Sequence, residues 1–387
     1  MIVNATLPVK ESAPETAKTI LGAMLEKGVV DALLVPWQLP AGDNVAPTLV
    51  NAPARLAEVK IWAPVMPINA ARAVASLTAT GNKPRLGVLL RPCEIRALVE
   101  LTKLEQASLD NTLIIGLDCP GAYTVADYAR MTRQGIDPTA ELLAQAADAS
   151  MTPHEGFQFR EGCRICEHPI PQGEHVAVKL GIFGIDNGQI MIQARKDVAE
   201  AVAKTLGLEE VGEPARRKAV VDKLIAARTE ARDAALADVQ RQIGNIEGLL
   251  AEFSTCIRCH NCMINCPICY CKECIFRTAT FDHESDLYYR WADRKGIVRM
   301  LPDTTLFHLT RLNHMVTSCV GCGVCTDVCP SDIPVATIFR TVGQKTQTIF
   351  DYTPGLSLED ELPLTTFRED ELTGLGTPDS HEFRLSH

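Results

Sequence analysis

Two cysteine runs constrain this chain more than anything else in it. Cys256-Ile-Arg-Cys259-His-Asn-Cys262-Met-Ile-Asn-Cys266-Pro267 returns downstream as Cys319-Val-Gly-Cys322-Gly-Val-Cys325-Thr-Asp-Val-Cys329-Pro330. Both read C-x2-C-x2-C-x3-C-P. In that spacing the first three thiolates hold one [4Fe-4S] cluster and the fourth ligates the other. The expected sets are Cys256, Cys259, Cys262 and Cys329 for one cluster, and Cys319, Cys322, Cys325 and Cys266 for the second. Gly321 and Gly323 allow backbone N–H groups to turn toward the sulfurs, and Pro267 and Pro330 close each run without offering one. A chain with two such one-electron sites moves electrons, and its other residues decide from what to what.

The chain has 387 residues, 15 cysteines and a formal net charge of −10. The charge argues against nucleic acid as a partner. The N-terminus lacks a basic region followed by an apolar core, and no stretch of ~20 apolar residues exists, so neither a secretory signal nor a membrane span is expected. The cysteines then read as metal ligands in a reducing, cytoplasmic setting rather than as a disulfide framework, with a peripheral place on the cytoplasmic face of a membrane complex still open.

Residues 1–195 read as an α/β domain with a mainly parallel sheet. A helical stretch near 12–27 precedes a strand at Val29–Val35. Further strands are expected at 85–90, 112–117, 175–183 and 189–194, the last two joined by a turn at Asp186-Asn187-Gly188, and a helix at 94–104 follows the 85–90 strand. Residues 196–252 are rich in Ala, Glu, Arg and Lys and read as a helical connector, with Pro214 marking a helix start. Residues 253–345 read as a ferredoxin-like domain, α+β or α-rich, holding two [4Fe-4S] clusters. Residues 346–387 read as an extended tail of the kind that docks on a partner.

A second cysteine constellation lies in the α/β part. Cys93 and Cys119 each follow directly on an expected strand. If those strands are parallel neighbours, both thiols lie outside the carboxyl ends, where open α/β sheets place ligands. Cys163-Arg-Ile-Cys166 supplies a C-x2-C pair from a loop. Four thiolates from three loops fit one more cubane; zinc would also accept them.

Arg91-Pro-Cys93-Glu-Ile-Arg96-Ala-Leu98, Leu117-Asp-Cys119-Pro120, and Cys163-Arg-Ile-Cys166 followed by Ala177-Val-Lys179-Leu-Gly181 resemble the beta-subunit family of coenzyme F420-reducing hydrogenases and formate dehydrogenases. The likeness covers most of 80–195 and, through the two-cluster module, about 250–355. It implies that the four thiolates surround a [4Fe-4S] cluster beside a bound FAD that exchanges a hydride with a deazaflavin or similar carrier. Arg91 and Arg96 could neutralise cluster or cofactor charge, Lys179 could sit by a flavin ring, and Gly181 to Gly184 could turn amides toward a flavin phosphate; a surface ion pair, a solvated lysine and a plain turn are the bland alternatives.

Cys269, Cys271 and Cys274 are surplus to the two runs. They could hold a further cluster or a zinc ion, with His260, His283, His308 or His314 as fourth ligand; one of them could replace Cys266, or all three could be free thiols. No catalytic residue pair, phosphate-binding loop or molybdenum-cofactor signature is evident. The expected function is an electron-transfer subunit that relays electrons through [4Fe-4S] clusters to or from a flavin and a hydride carrier, deazaflavin or NAD(P). Its partners would be a catalytic formate dehydrogenase or hydrogenase subunit and other electron-transfer subunits. The alternatives are a flavin-free iron–sulfur adaptor of a heterodisulfide-reductase-like or membrane-associated complex, and a zinc-based scaffold.

Overall fold

The computed structural model describes residues 2–9, 11–79, 84–186, 188–206, 212–297, 300–301 and 303–365. Seven strands, β1 (Ile2–Pro8), β2 (Ala32–Gln38), β3 (Val45–Val50), β4 (Leu86–Leu90), β5 (Thr112–Leu117), β6 (Val176–Gly181) and β7 (Gln189–Arg195), form one sheet in the order β1-β7-β6-β5-β4-β2-β3. The centre is parallel, with β2 on β4, β4 on β5 and β5 on β6. Antiparallel pairings add β3 at one flank and β7 and β1 at the other. Every residue of β4 is buried, as an all-apolar strand covered on both faces should be.

The strand expected at 29–35 begins later, at Ala32. The amides of Val29 and Val30 fold back onto the carbonyl of Met24 and finish the helix Ala13–Glu26 instead. The hairpin of β6 and β7 forms, while Asn187 of its turn lies outside the described residues. Two strands were not foreseen. β1 pairs only with β7, and β3 pairs only with β2 and carries Pro47, which an edge strand tolerates.

Helices Lys196–Leu206, Ala215–Gln242 and Ile246–Glu252 follow the sheet. Val198, Ala199, Val220, Val221 and Leu224 from the first two pack into the same core as β5, β6 and β7, so this stretch covers the sheet rather than merely connecting. The cysteine-rich region holds only helices among its described residues, including Thr304–Met315 and Val335–Ile349; of the two forms expected, it takes the α-rich one. Ile338 and Phe339 share a core with Leu98 and Leu101 of the helix Pro92–Lys103, so apolar packing runs unbroken from the sheet to the cysteine runs.

The segment after Ile349 departs from the extended tail expected. Tyr352 is buried, and its hydroxyl and the amide of Gly355 both donate to the Glu100 carboxylate. The first part of this segment is strapped to the chain's own helix, and 366–387 lies outside the described residues. No helix among the described residues is long and apolar enough to cross a membrane.

Candidate iron–sulfur sites

β4 and β5 are parallel neighbours in the register Leu90 opposite Gly116, so the chain leaves both strands at the same rim. Cys93 sits in the first turn of the helix Pro92–Lys103, started by Pro92 and by the Glu94 carboxylate accepting the Arg91 amide at 2.9 Å. Cys119 lies two residues past β5, its amide held by the carbonyl of Pro169 at 2.7 Å. Cys163 and Cys166 come from the short helical turn Glu161–Arg164 and its exit. The structure brings these four together. Burial pushes the Cys93 thiol well up, reinforced by Glu94, Cys119, Cys322 and Cys166. Burial and then Cys163 push Cys119 up to about 11, against the pull of Arg91 and Arg228.

Three guanidiniums surround this set, each anchored on backbone carbonyls. Arg91 donates to Ala63 and Val65 (2.6 and 2.8 Å), Arg228 to Pro120 (2.7 Å) and Arg160 to Cys322 (3.0 Å). Half-buried thiols flanked by fixed cations suit an anionic cluster, whose binding must displace the thiol protons. Asp118, beside Cys119, is buried; its carboxylate accepts both terminal nitrogens of Arg217 (2.6 and 2.9 Å) and the amides of Ile182 and Phe183 (2.8 and 3.0 Å).

In the cysteine-rich region, Cys262 feels Cys256, Cys259 and Cys329, while Cys319, Cys322 and Cys325 all feel Cys266. Burial is the main cause of each rise, taking Cys262 to about 11 and Cys322 to about 12. The two runs share a backbone form. Arg258 and His260 in the first, and Gly321 and Gly323 at the matching positions of the second, all have positive φ, between 55° and 79°. That twist turns the Arg258 amide to within 3.4 Å of Cys256 Sγ, and the Gly321 amide to Cys319. Two non-glycine residues accept a costly conformation there, which argues that the loop shape is imposed by what the thiols surround.

The α/β set abuts the second run. A methyl on Gly162 would meet Gly323 Cα at 2.9 Å, so the two cysteine loops touch backbone to backbone. Arg160, 2 % exposed, spans the contact; it pairs with Asp327 and lies near the charges of Cys163, Cys322 and Cys93. Arg340 ties the Cys163–Cys166 loop to the helix Val335–Ile349 by donating to Ile165 O at 2.8 Å and pairing with Glu167.

Among the described residues, no three Cys, His, Asp or Glu side chains converge closely enough for a single metal ion. A cubane asks for thiolates spread around a larger body. Of the four candidate histidines, His308 lies 3.3 Å from Cys256 and stacks on Phe253, His260 packs on Phe307, and His283 sits against Tyr288 and Trp291. Only His314 lines a cavity with Cys269, Cys271 and Cys274.

The residues expected to hold a flavin are not assembled into one site. The Ile182 and Phe183 amides between Gly181 and Gly184 are spent on Asp118, and a methyl on Gly184 would meet Arg217 Cα at 2.5 Å, so that glycine admits a helix. Arg91 is committed to carbonyls. Lys179 opens instead onto a cavity of about 430 Å³ with Glu174 and Arg195, and burial and then Arg217 lower its pKa. Arg96 donates to Val320 and Pro354 carbonyls. The named residues therefore do not fit an FAD phosphate cradle.

Sequence reasoning missed Arg160, Arg217, Arg228 and Arg311. Arg311 is 3 % exposed, donates to Cys262 Sγ at 3.2 Å, and lies near the charges of Cys266, Cys325 and Cys269. Nothing local in the sequence marks an arginine as buried.

Comparison with known proteins agrees with this picture. Residues 252–333 match the 4Fe-4S dicluster domain family. The F420-dependent formate dehydrogenase subunit beta of Methanocaldococcus jannaschii is 27% identical over 368 residues, covering 88% of this chain and 90% of that protein. The F420-dependent formate dehydrogenase 1 subunit beta of Methanococcus maripaludis is 27% identical over 311 residues, covering 72% of this chain and 74% of that protein. A chain of the F420-reducing [NiFe] hydrogenase complex from Methanosarcina barkeri overlaps 64% of this chain and 94% of its own length, with a TM-score of 0.42 and 12% identity, a likeness too loose to add weight. The chain is thus similar along most of its length to F420-dependent formate dehydrogenase beta subunits, and its residues 252–333 match the 4Fe-4S dicluster domain family.

Proposed function

We propose that this chain is the iron–sulfur electron-transfer subunit of a formate dehydrogenase or hydrogenase-type complex, working in a reducing cytoplasm. The carrying observation is the contiguity of three thiol sets, with the α/β set pressed against the second run through Gly162, Gly323 and Arg160. Cys93, Cys119, Cys163 and Cys166 would hold one cluster, and the two crossed sets the others. Bound clusters supply reversible one-electron storage. The protein's own part is to hold the thiolates, fix Arg91, Arg160, Arg228 and Arg311 beside them as compensating charge, and keep water out with the packed core around Ile338 and Phe339.

Formate or hydrogen would be oxidised on a partner subunit. The acceptor is a hydride carrier; the names of the relatives favour coenzyme F420 over NAD(P). Changing single electrons into a hydride calls for a flavin; the family resemblance implies FAD, while Arg91, Lys179, Gly181 and Gly184 do not form its seat. A second reading, a flavin-free adaptor that passes electrons between clusters only, is favoured by the Asp118 carboxylate occupying the amides of the Gly181–Gly184 turn.

Anaerobic purification decides between them. Extractable FAD and formate-linked F420 reduction in the assembled complex support the first reading; cluster reduction without flavin supports the second. Cys119→Ser should remove about four irons per chain, one cluster's worth. An unchanged iron content would eliminate the α/β-domain cluster under either reading.

A further inference from the structure

We infer that Cys269, Cys271, Cys274 and His314 form the seat of a fourth [4Fe-4S] cluster. From Cys266 the chain continues Pro-Ile-Cys269-Tyr-Cys271-Lys-Glu-Cys274, and none of the last three thiols is needed by the two crossed sets. The structure gathers them. All three line one cavity of about 400 Å³, and His314 enters it from the helix Thr304–Met315. Cys269 lies within electrostatic reach of Cys266, Cys271 and Cys274. The wall behind them is apolar, from Ile268, Phe276 and Met315, and Cys274 Sγ sits 3.6 Å from Met263 Sδ.

Size and charge decide what fills the cavity. The space of about 400 Å³ has room for a body larger than a single ion. A cubane wants soft thiolates ranged around a space of this kind. Arg311 also lines the cavity; it is almost wholly buried, and its Nε has no partner. A buried cation beside three thiols wants an anionic occupant. The fourth ligand falls to His314, because, of the four candidate histidines, it is the one that lines this cavity.

Cys271 is exposed, so the site reaches the surface, while Arg311 and Cys266 join it to both crossed sets. It would extend the relay by one carrier to a surface where a redox partner can dock. That role rests on the proposed relay; the site itself does not.

The test is iron, sulfide and zinc analysis with EPR on the full-length chain, purified anaerobically. The expectation is about sixteen irons and four reducible clusters in the native chain, and about twelve irons in a Cys271→Ser/Cys274→Ser double variant. His314→Ala should alter one EPR signal and leave the rest. Cys119→Ser should remove a different cluster, which keeps failure of this site distinct from failure of the α/β site. About twelve irons in the native chain with about four of them lost in Cys119→Ser, an unchanged count in the double variant, one zinc lost with no iron, or an EPR spectrum indifferent to His314→Ala would each overturn the assignment. If the double variant does not fold, the native count read beside that of Cys119→Ser, together with His314→Ala, still decides.

Discussion

Replacing Arg217 with methionine removes the cation that holds Asp118 in the floor of the α/β site. Asp118 is 1 % exposed and Arg217 4 %, and the two share paired N–H···O bonds of 2.6 and 2.9 Å. Breaking a buried pair by removing one partner costs about 3–5 kcal/mol, because the other charge is stranded. Asp118 keeps the amides of Ile182 and Phe183 as donors, so the lower end, about 3 kcal/mol, is expected. Those two amides are also the reporters. Their hydrogen exchange should accelerate roughly 100-fold, since about 1.4 kcal/mol corresponds to a factor of ten. Cys119, next to Asp118, should lose its cluster, and iron should fall by about four per chain. Asp118→Asn in the Arg217→Met background should recover part of the loss, since a neutral amide needs no counter-charge. Exchange faster by less than about 5-fold, or single effects that simply add in the double variant, would refute the reasoning.

Gly162→Ala would place a methyl 2.9 Å from Gly323 Cα, where only backbone can yield; a cost of about 1–3 kcal/mol and depleted iron in the Cys163 set are expected, and normal iron with an unshifted melting temperature would contradict the close approach. Arg311→Gln withdraws a positive charge from beside Cys262, so midpoint potentials in the two-run region should move negative by about 60 mV for a change of about 1.4 kcal/mol; EPR-monitored titration showing no shift or a positive one would contradict it. Tyr352→Phe strips one donor from the buried Glu100 and the acceptor of Lys103 Nζ (2.7 Å), at a cost of about 1–3 kcal/mol, and limited proteolysis should cut faster within 350–365.

The cysteine arrangement was legible because cluster ligands crowd into short stretches whose spacing is fixed by the object they grip. The rim positions of Cys93 and Cys119 were legible for a related reason: β4 and β5 are largely apolar runs that end just before them. Other features depend on distance along the chain. Asp118 and Arg217 are 99 residues apart, and neither carries a local sign of its partner. β1 and β3 were missed because flank strands need only one neighbour and show weaker apolar patterning. The Gly181–Gly184 turn misled because a glycine that admits a neighbouring helix looks the same in sequence as one that admits a phosphate.

The helix carrying Cys93 is anchored by Arg96 to the carbonyls of Val320 and Pro354, 224 and 258 positions later. On the ribosome, where amino-terminal portions ordinarily settle first, the pocket around Cys93 must wait until a segment more than 250 positions downstream has emerged before it is closed. A chain cut shortly before Pro354 would lose that anchor and leave the thiol of Cys93 less covered.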